Sequence, residues 1–172
     1  MASGVPANGQ DCGHMGACPV SFGCAPRQPS PCSHIVRVHA EKLLLCDRLE
    51  AIADAIPHRV DRLQCLVVAS RLVPLLRESH SYEEEVVFPA FEKAVSKGSA
   101  GNASILRLKA EHIYDESSAQ DLTAMLLKIG HGAEVENPEA LGFMLRAFFD
   151  MVRRHIAFER EHVLPLAIHN YA

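Results

Sequence analysis

Several features that mark other classes of protein are missing from this chain, and each absence narrows what the protein can be. No apolar run approaches the roughly 20 residues that span a bilayer, so we expect no membrane-spanning helix. The formal net charge is −4 and the basic residues form no cluster, which argues against a nucleic-acid partner, because phosphates require a footprint of Lys and Arg. The start of the chain lacks the basic and apolar regions of a secretory signal, so we expect a cytoplasmic location and reduced cysteines.

The segment 1–32 differs in composition from the rest of the chain. It holds five of the ten glycines, five of the ten prolines and four of the six cysteines, with few large apolar side chains. Such a segment cannot bury enough surface to offset its ordering entropy. We therefore predict a flexible, disordered tail over residues 1–32 and a single domain over 33–172. The tail cysteines (Cys12, Cys18, Cys24 and Cys32) form no Cys-x-x-Cys pair, so they are either incidental thiols or a redox or metal-delivery segment.

The rest of the chain shows helical periodicity, and no stretch alternates with the period of two that marks a strand. Apolar residues recur every three to four positions in four segments, which we expect to form helices over 33–56, 58–97, 103–129 and 137–165. Pro57, the glycines after residue 129, and Asn137 followed by Pro138 mark the boundaries. Four long helices with short connections predict an all-α, up-down-up-down four-helix bundle.

Four of the ten histidines lie on the apolar side of a helix, one on each helix: His39, His80, His112 and His155. Two of them precede a glutamate at the spacing i, i+4, as His80 precedes Glu84 and His155 precedes Glu159. Residues at this spacing share a helical face. The interval from the first histidine to the third nearly equals the interval between the two histidine–glutamate pairs. The chain therefore contains two similar helical hairpins.

These histidines also lie at comparable depth, although the first hairpin is about five residues off. His39 precedes Pro57 by 18 residues and His80 follows it by 23, a difference that the helix boundaries or a kink at Pro74 would absorb. His112 precedes Gly130 by 18 residues and His155 follows Asn137 by 18, which places both about 27 Å from their turn at 1.5 Å per residue. A single such histidine is usually a hydrogen-bonded core residue, and a lone His-x-x-x-Glu is usually a solvated pair. Four histidines and two glutamates converging inside a bundle would be very costly to bury without a metal, so the pattern predicts a metal site. The glutamates that flank Glu84, Glu83 and Glu85, are rotated away from it around the helix, and we expect them to face solvent.

The segments His80-Ser-Tyr-Glu-Glu84-Glu-Val-Val-Phe-Pro89 and His155-Ile-Ala-Phe-Glu159-Arg-Glu-His-Val-Leu-Pro165 resemble the hemerythrin-like, HHE cation-binding family over about residues 33–169. The resemblance implies a non-haem di-iron centre with two oxo- or hydroxo-bridged iron ions. Glu84 and Glu159 would bridge the ions, with His39 and His80 on one and His112 and His155 on the other. The iron with fewer protein ligands would keep an open position for dioxygen, peroxide or nitric oxide.

One departure from the family pattern concerns the third helix. Respiratory members carry a fifth histidine one turn after the third-helix histidine, where this chain has Glu116. We predict that Glu116 is a seventh ligand; the alternative is a solvated residue or one that supports a ligand. An added anionic oxygen donor favours the ferric state and works against reversible oxygen carriage.

These observations predict a protein that binds, senses or detoxifies a small oxidant, in oxidative or nitrosative stress, with any catalysis being peroxide- or nitric-oxide-related oxidoreductase chemistry at iron. One alternative is an iron-handling or iron–sulfur repair protein, assisted by the tail thiols. The other is a redox-inactive bundle loaded with zinc or manganese. The sequence does not set the oligomeric state.

Overall fold

The computed structural model describes residues 31–95 and 99–168, and in these ranges the chain is a bundle of helices without a strand. The α-helices are α1 (Pro31–Ala55), α2 (Arg62–Tyr82), α3 (Phe88–Ala94), α4 (Ser99–Gly130), α5 (Pro138–Phe158) and α6 (Leu164–Ile168). Two π-helical segments, Glu83–Val87 and Glu159–Val163, join α2 to α3 and α5 to α6. Each trio therefore forms one long helix, and the predicted all-α four-helix bundle is confirmed. Of the tail predicted over residues 1–32, positions 1–30 lie outside the described residues and the last two begin α1.

The helix boundaries follow from local capping chemistry. Asp61 accepts hydrogen bonds from the backbone nitrogens of Leu63 (2.9 Å) and Gln64 (3.1 Å), so α2 begins at Arg62 and not near residue 58 as expected. Asn137 caps α5 as predicted, because its side chain accepts from the backbone nitrogen of Ala140 at 2.9 Å.

The helices pack as an antiparallel ring in which α1 contacts α2 and α5, α2 contacts α4, and α4 contacts α5. At one end of the bundle α3 packs against α6. The apolar stripe predicted for the third helix is buried along its length, with His112 among its members. Among the described residues, no helix has both the length and the apolar character needed to cross a bilayer.

The apolar interior consists of two clusters. The larger one fills the bundle towards the α1–α2 and α4–α5 turns and includes Leu49, Leu72, Leu122 and Leu145. The smaller one lies where α3 meets α6 and includes Phe88 and Leu164. On each long helix, the buried polar residues lie close to the point in the sequence where one cluster gives way to the other. The bundle therefore carries a polar layer inside it.

Candidate metal centre

The polar layer contains all four predicted histidines. Its members are at most 5% exposed: His39, Lys42, Ser79, His80, Glu83, His112, Asp115, His155 and Glu159. Charged residues are seldom buried to this extent without partners. The layer is therefore the candidate binding site of the bundle.

Four residues of the layer form its tightest group. Glu83, His112, His155 and Glu159 each offer one ligand atom, and these atoms all lie within 4.8 Å of one another. His112 Nε2 is 3.1 Å from Glu83 Oε2, and His155 Nε2 is 3.7 Å from Glu159 Oε1. Two imidazole nitrogens and two carboxylates form a donor set that suits a divalent transition metal.

His39 contacts the other oxygen of each of these two carboxylates. Its Nε2 is 3.0 Å from Glu159 Oε2 and 3.7 Å from Glu83 Oε1. Each carboxylate thus turns one oxygen towards His39 and the other towards a histidine of the second hairpin, either His112 or His155. Glu83 and Glu159 therefore connect His39 on α1 with the histidines of the second hairpin.

The expectation that Glu83 faces solvent is wrong, because Glu83 is 0% exposed. Its partner one turn earlier on the buried face of α2 is Ser79, which is also fully buried. The structure instead places Glu84 at the edge of the layer, with its side chain 38% exposed. A helical face that starts at His80 includes Glu84, whereas the face that starts at Ser79 includes the buried Glu83.

The two π-helical segments define the register between the two hairpins. In a π-helix the backbone hydrogen bond reaches one position further along the chain than in an α-helix, so the segment accommodates an extra residue. Phe88 N–H bonds to Glu83 O, and Leu164 N–H bonds in the same way to Glu159 O. Glu83 and Glu159 therefore begin equivalent segments of the two hairpins. By this register the equivalent of His155 is Ser79 and not His80.

Three partly exposed carboxylates contact the outer ring nitrogens of the histidines. His112 Nδ1 donates to Glu84 Oε1 at 2.8 Å, and His80 Nδ1 donates to Glu116 Oε1 at 3.0 Å. His155 Nδ1 is 3.3 Å from Glu111 Oε2. A carboxylate on the outer nitrogen of a histidine fixes its tautomer and leaves Nε2 free for a metal. The geometry thus gives Glu84 and Glu116 supporting positions.

His80 lies beside the tight group and outside it. Its ring stacks on that of His112, with centroids 3.9 Å apart and planes 5° from parallel. Burial, followed by the neighbouring His112 and Lys42, lowers the pKa of His80 to about 2, so the ring is neutral. Its Nε2 is buried without a hydrogen-bond partner. His162, one turn beyond Glu159 on the same helix, is 60% exposed.

The family model described as the hemerythrin HHE cation binding domain matches residues 30–167. The chain belongs to the hemerythrin family. No curated protein and no solved structure matches the chain. Cation binding is thus the family's property, and the histidine–glutamate group is where this hemerythrin domain could bind a metal.

The side chains of this hemerythrin domain fit a cation because several of their buried polar atoms have no hydrogen-bond partner. Among the described residues, buried atoms without a hydrogen-bond partner include His112 Nε2, His155 Nε2, Glu83 Oε2 and both carboxylate oxygens of Glu159. Each unsatisfied buried polar atom costs about 1–3 kcal/mol. These atoms belong to the tight group, so a metal there would satisfy several at once.

Glu83 and Glu159 have lowered pKa values, which favour the ionised form that binds a cation. Burial would raise the pKa of Glu83, but the Lys42 ammonium, His112 and His39 outweigh it and hold that pKa well below its usual range. Burial and the neighbouring Glu83 would likewise raise the pKa of Glu159, yet its histidine partners and Lys42 lower it. Burial would lower the pKa of His39, but the two carboxylates raise it instead.

Sequence reasoning missed Glu83, Lys42, Ser79, Asp115 and Glu111. One signal could have found Glu83: aligning the two repeats on Pro89 and Pro165 pairs Glu83, and not Glu84, with Glu159. Lys42 lies one helical turn after His39 on the apolar stripe, but a lysine is rarely counted as interior. Nothing in the sequence points to Glu111.

Proposed function

We propose that this hemerythrin domain binds iron in the polar layer and that the loaded protein binds, senses or detoxifies a small oxidant, namely dioxygen, peroxide or nitric oxide. The observation that carries the proposal is the convergence of His112 Nε2, His155 Nε2 and two ionised carboxylates on one buried point. Imidazole with carboxylate is a donor set that iron accepts. When bound, iron would supply Lewis-acid and redox chemistry that the side chains lack.

The proposed ligands are Glu83, His112, His155 and Glu159, with His39 facing both carboxylates. The sequence-based ligands Glu84 and Glu116 become supports that hold His112 and His80 by their outer nitrogens. Loss of an orienting contact of this kind typically lowers metal affinity by about 10–100-fold. His80 stays close enough to shape the space beside the metal. The family resemblance implies two bridged iron ions, whereas the tight group by itself offers the ligands for one.

Burial of the layer supports a small ligand. The tight group is at most 5% exposed and lies between two apolar clusters, so a bulky organic substrate has no direct approach to it. Apolar walls also keep water away from the donors, which strengthens every electrostatic interaction among them. Small uncharged molecules pass such walls more easily than ions do, which favours gases and hydrogen peroxide.

The test is to load the full chain with ferrous iron without oxygen and to remove the excess. Metal analysis then gives the retained iron, and absorption spectra are recorded on adding dioxygen, peroxide or nitric oxide. Retained iron whose spectrum changes with one of these ligands supports the proposal. Retention of zinc in place of iron, or iron with an unresponsive spectrum, would overturn it. His112→Ala should abolish retention, whereas His131→Ala, at an exposed position, serves as the matched control.

A further inference from the structure

The two hairpins supply equivalent buried positions to the polar layer. Positions on α1 recur on α4 at one constant sequence spacing, and positions on α2 recur on α5 at another. The equivalent pairs are His39 with His112, Lys42 with Asp115, Ser79 with His155, and Glu83 with Glu159. All of these residues are buried. The layer therefore has a first half, from α1 and α2, and a second half, from α4 and α5.

The two halves carry different chemistry at two of the four positions. The second half has His155 and Asp115, an imidazole donor and a buried carboxyl whose Oδ1 has no hydrogen-bond partner. The first half has Ser79 and Lys42 at those positions, a hydroxyl and an ammonium. The second half thus has an imidazole and a carboxyl at the two positions where the first half has a hydroxyl and a positively charged ammonium.

The contacts of Lys42 are those of a bound cation. Its Nζ, in a side chain that is 2% exposed, donates to Ser79 Oγ at 3.0 Å and to Glu83 Oε1 at 3.2 Å. Ser79 Oγ in turn donates to Glu83 Oε1. The oxygen of Glu83 that faces the first half is therefore engaged, whereas Oε2 faces His112 Nε2 and has no hydrogen-bond partner.

We propose that the Lys42 ammonium takes the place of a second metal ion, so that the domain holds one iron per chain, in the second half of the layer. This inference rests on the proposed function, because it sets the number of ions at the same site. A second divalent ion would need the lone pairs that Lys42 and Ser79 now occupy on Glu83. The first half has Ser79 where the second half has the imidazole of His155, and the ion would lie beside a buried positive charge, which is costly.

The inference predicts the metal count and the magnetic state of the full chain. After anaerobic loading with ferrous iron and removal of excess, metal analysis should give one iron per chain. After oxidation, a single high-spin ferric ion gives an electron paramagnetic resonance signal, whereas an oxo-bridged ferric pair is silent. Two irons per chain in a silent state would overturn the inference and leave the proposed function standing. A chain that retains no iron would overturn both.

A double variant tests the role of Lys42 itself. Lys42→Asp with Ser79→His copies the second half of the layer into the first, so we expect iron content to double to about two per chain and the resonance signal to be lost. The matched control is Lys128→Asp with Ser117→His, which makes the same changes at exposed positions and should keep one iron. One iron in the folded double variant would overturn the inference. If circular dichroism shows that the double variant is unfolded, the iron content of Lys42→Met is measured in its place. More than one iron per chain in Lys42→Met supports the inference, and one iron per chain overturns it.

Discussion

Replacing Glu83 with glutamine should abolish metal binding, whereas the same replacement at Glu84 should only weaken it. The two residues are neighbours of identical type, yet the side chain of Glu83 is 0% exposed and that of Glu84 is 38% exposed. Glu83 turns Oε2 to the inner nitrogen of His112 at 3.1 Å, and Glu84 accepts from its outer nitrogen at 2.8 Å. The pair therefore separates a ligand from its support.

The expected magnitudes follow from these positions. Loss of the Glu84 support should lower metal affinity by about 10–100-fold, the range typical of carboxylates that orient a ligating histidine. Loss of the Glu83 carboxylate removes a donor and should exceed about 100-fold. Glu83→Gln also leaves the buried Lys42 ammonium without its counter-charge. Breaking a buried ion pair lowers the free energy of unfolding by about 3–5 kcal/mol. Because glutamine keeps one oxygen as an acceptor, we expect a decrease of about 3 kcal/mol for Glu83→Gln.

The assay compares Glu83→Gln, Glu84→Gln and the exposed control Glu85→Gln by metal titration and by urea denaturation without metal. The control should match the unchanged protein in both measurements. Metal binding that survives Glu83→Gln but is lost in Glu84→Gln would refute the assignment of the buried glutamate. A Glu83→Gln protein as stable as the control would refute the ion pair with Lys42.

Two further predictions concern the apolar interior. Leu145→Ala should lower the free energy of unfolding by about 2–5 kcal/mol in urea denaturation, because Leu145 is 0% exposed. Leu44→Ala, at a residue that is 54% exposed, should change it by less than about 0.5 kcal/mol, and equal effects would contradict the packing. Burial raises the pKa of the Cys46 thiol to about 12, so peptide mapping should find Cys46 unalkylated in the folded protein at neutral pH and alkylated in urea. Labelling in the folded state would show that this part of the core opens.

The architecture could be predicted from sequence because it depends on periodic apolar residues and on caps. The stripe of α4 and the Asn137 cap lie where the sequence placed them. The start of α2 was misplaced, because Asp61 competes with earlier residues to cap the helix and its side-chain bonds decide the boundary. Such a choice is energetically small and local, so periodicity alone does not resolve it.

The centre could be predicted in part, since its histidines repeat on apolar faces. The expectation that Glu83 faces solvent was wrong because the helical face was taken to begin at His80, whereas the buried residues one turn apart are Ser79 and Glu83. The burial of Lys42 was not predicted, because the sequence shows its charge but not its contacts. The Glu83 carboxylate and the Ser79 hydroxyl, which accept hydrogen bonds from it, make that burial tolerable.

The division of the apolar interior into two clusters has a consequence for how long the folded chain survives. The layer between them contains buried polar atoms without hydrogen-bond partners, so a cation bound there would add to the stability of the bundle. A cation that binds only the folded state, at about 100 times its dissociation constant, adds about 2.7 kcal/mol. Differences of about 1–2 kcal/mol already change the steady-state abundance of a protein several-fold, because the unfolded fraction is continuously removed. With the proposed metal in place, the amount of this protein in a cell would therefore follow the supply of the metal that it binds.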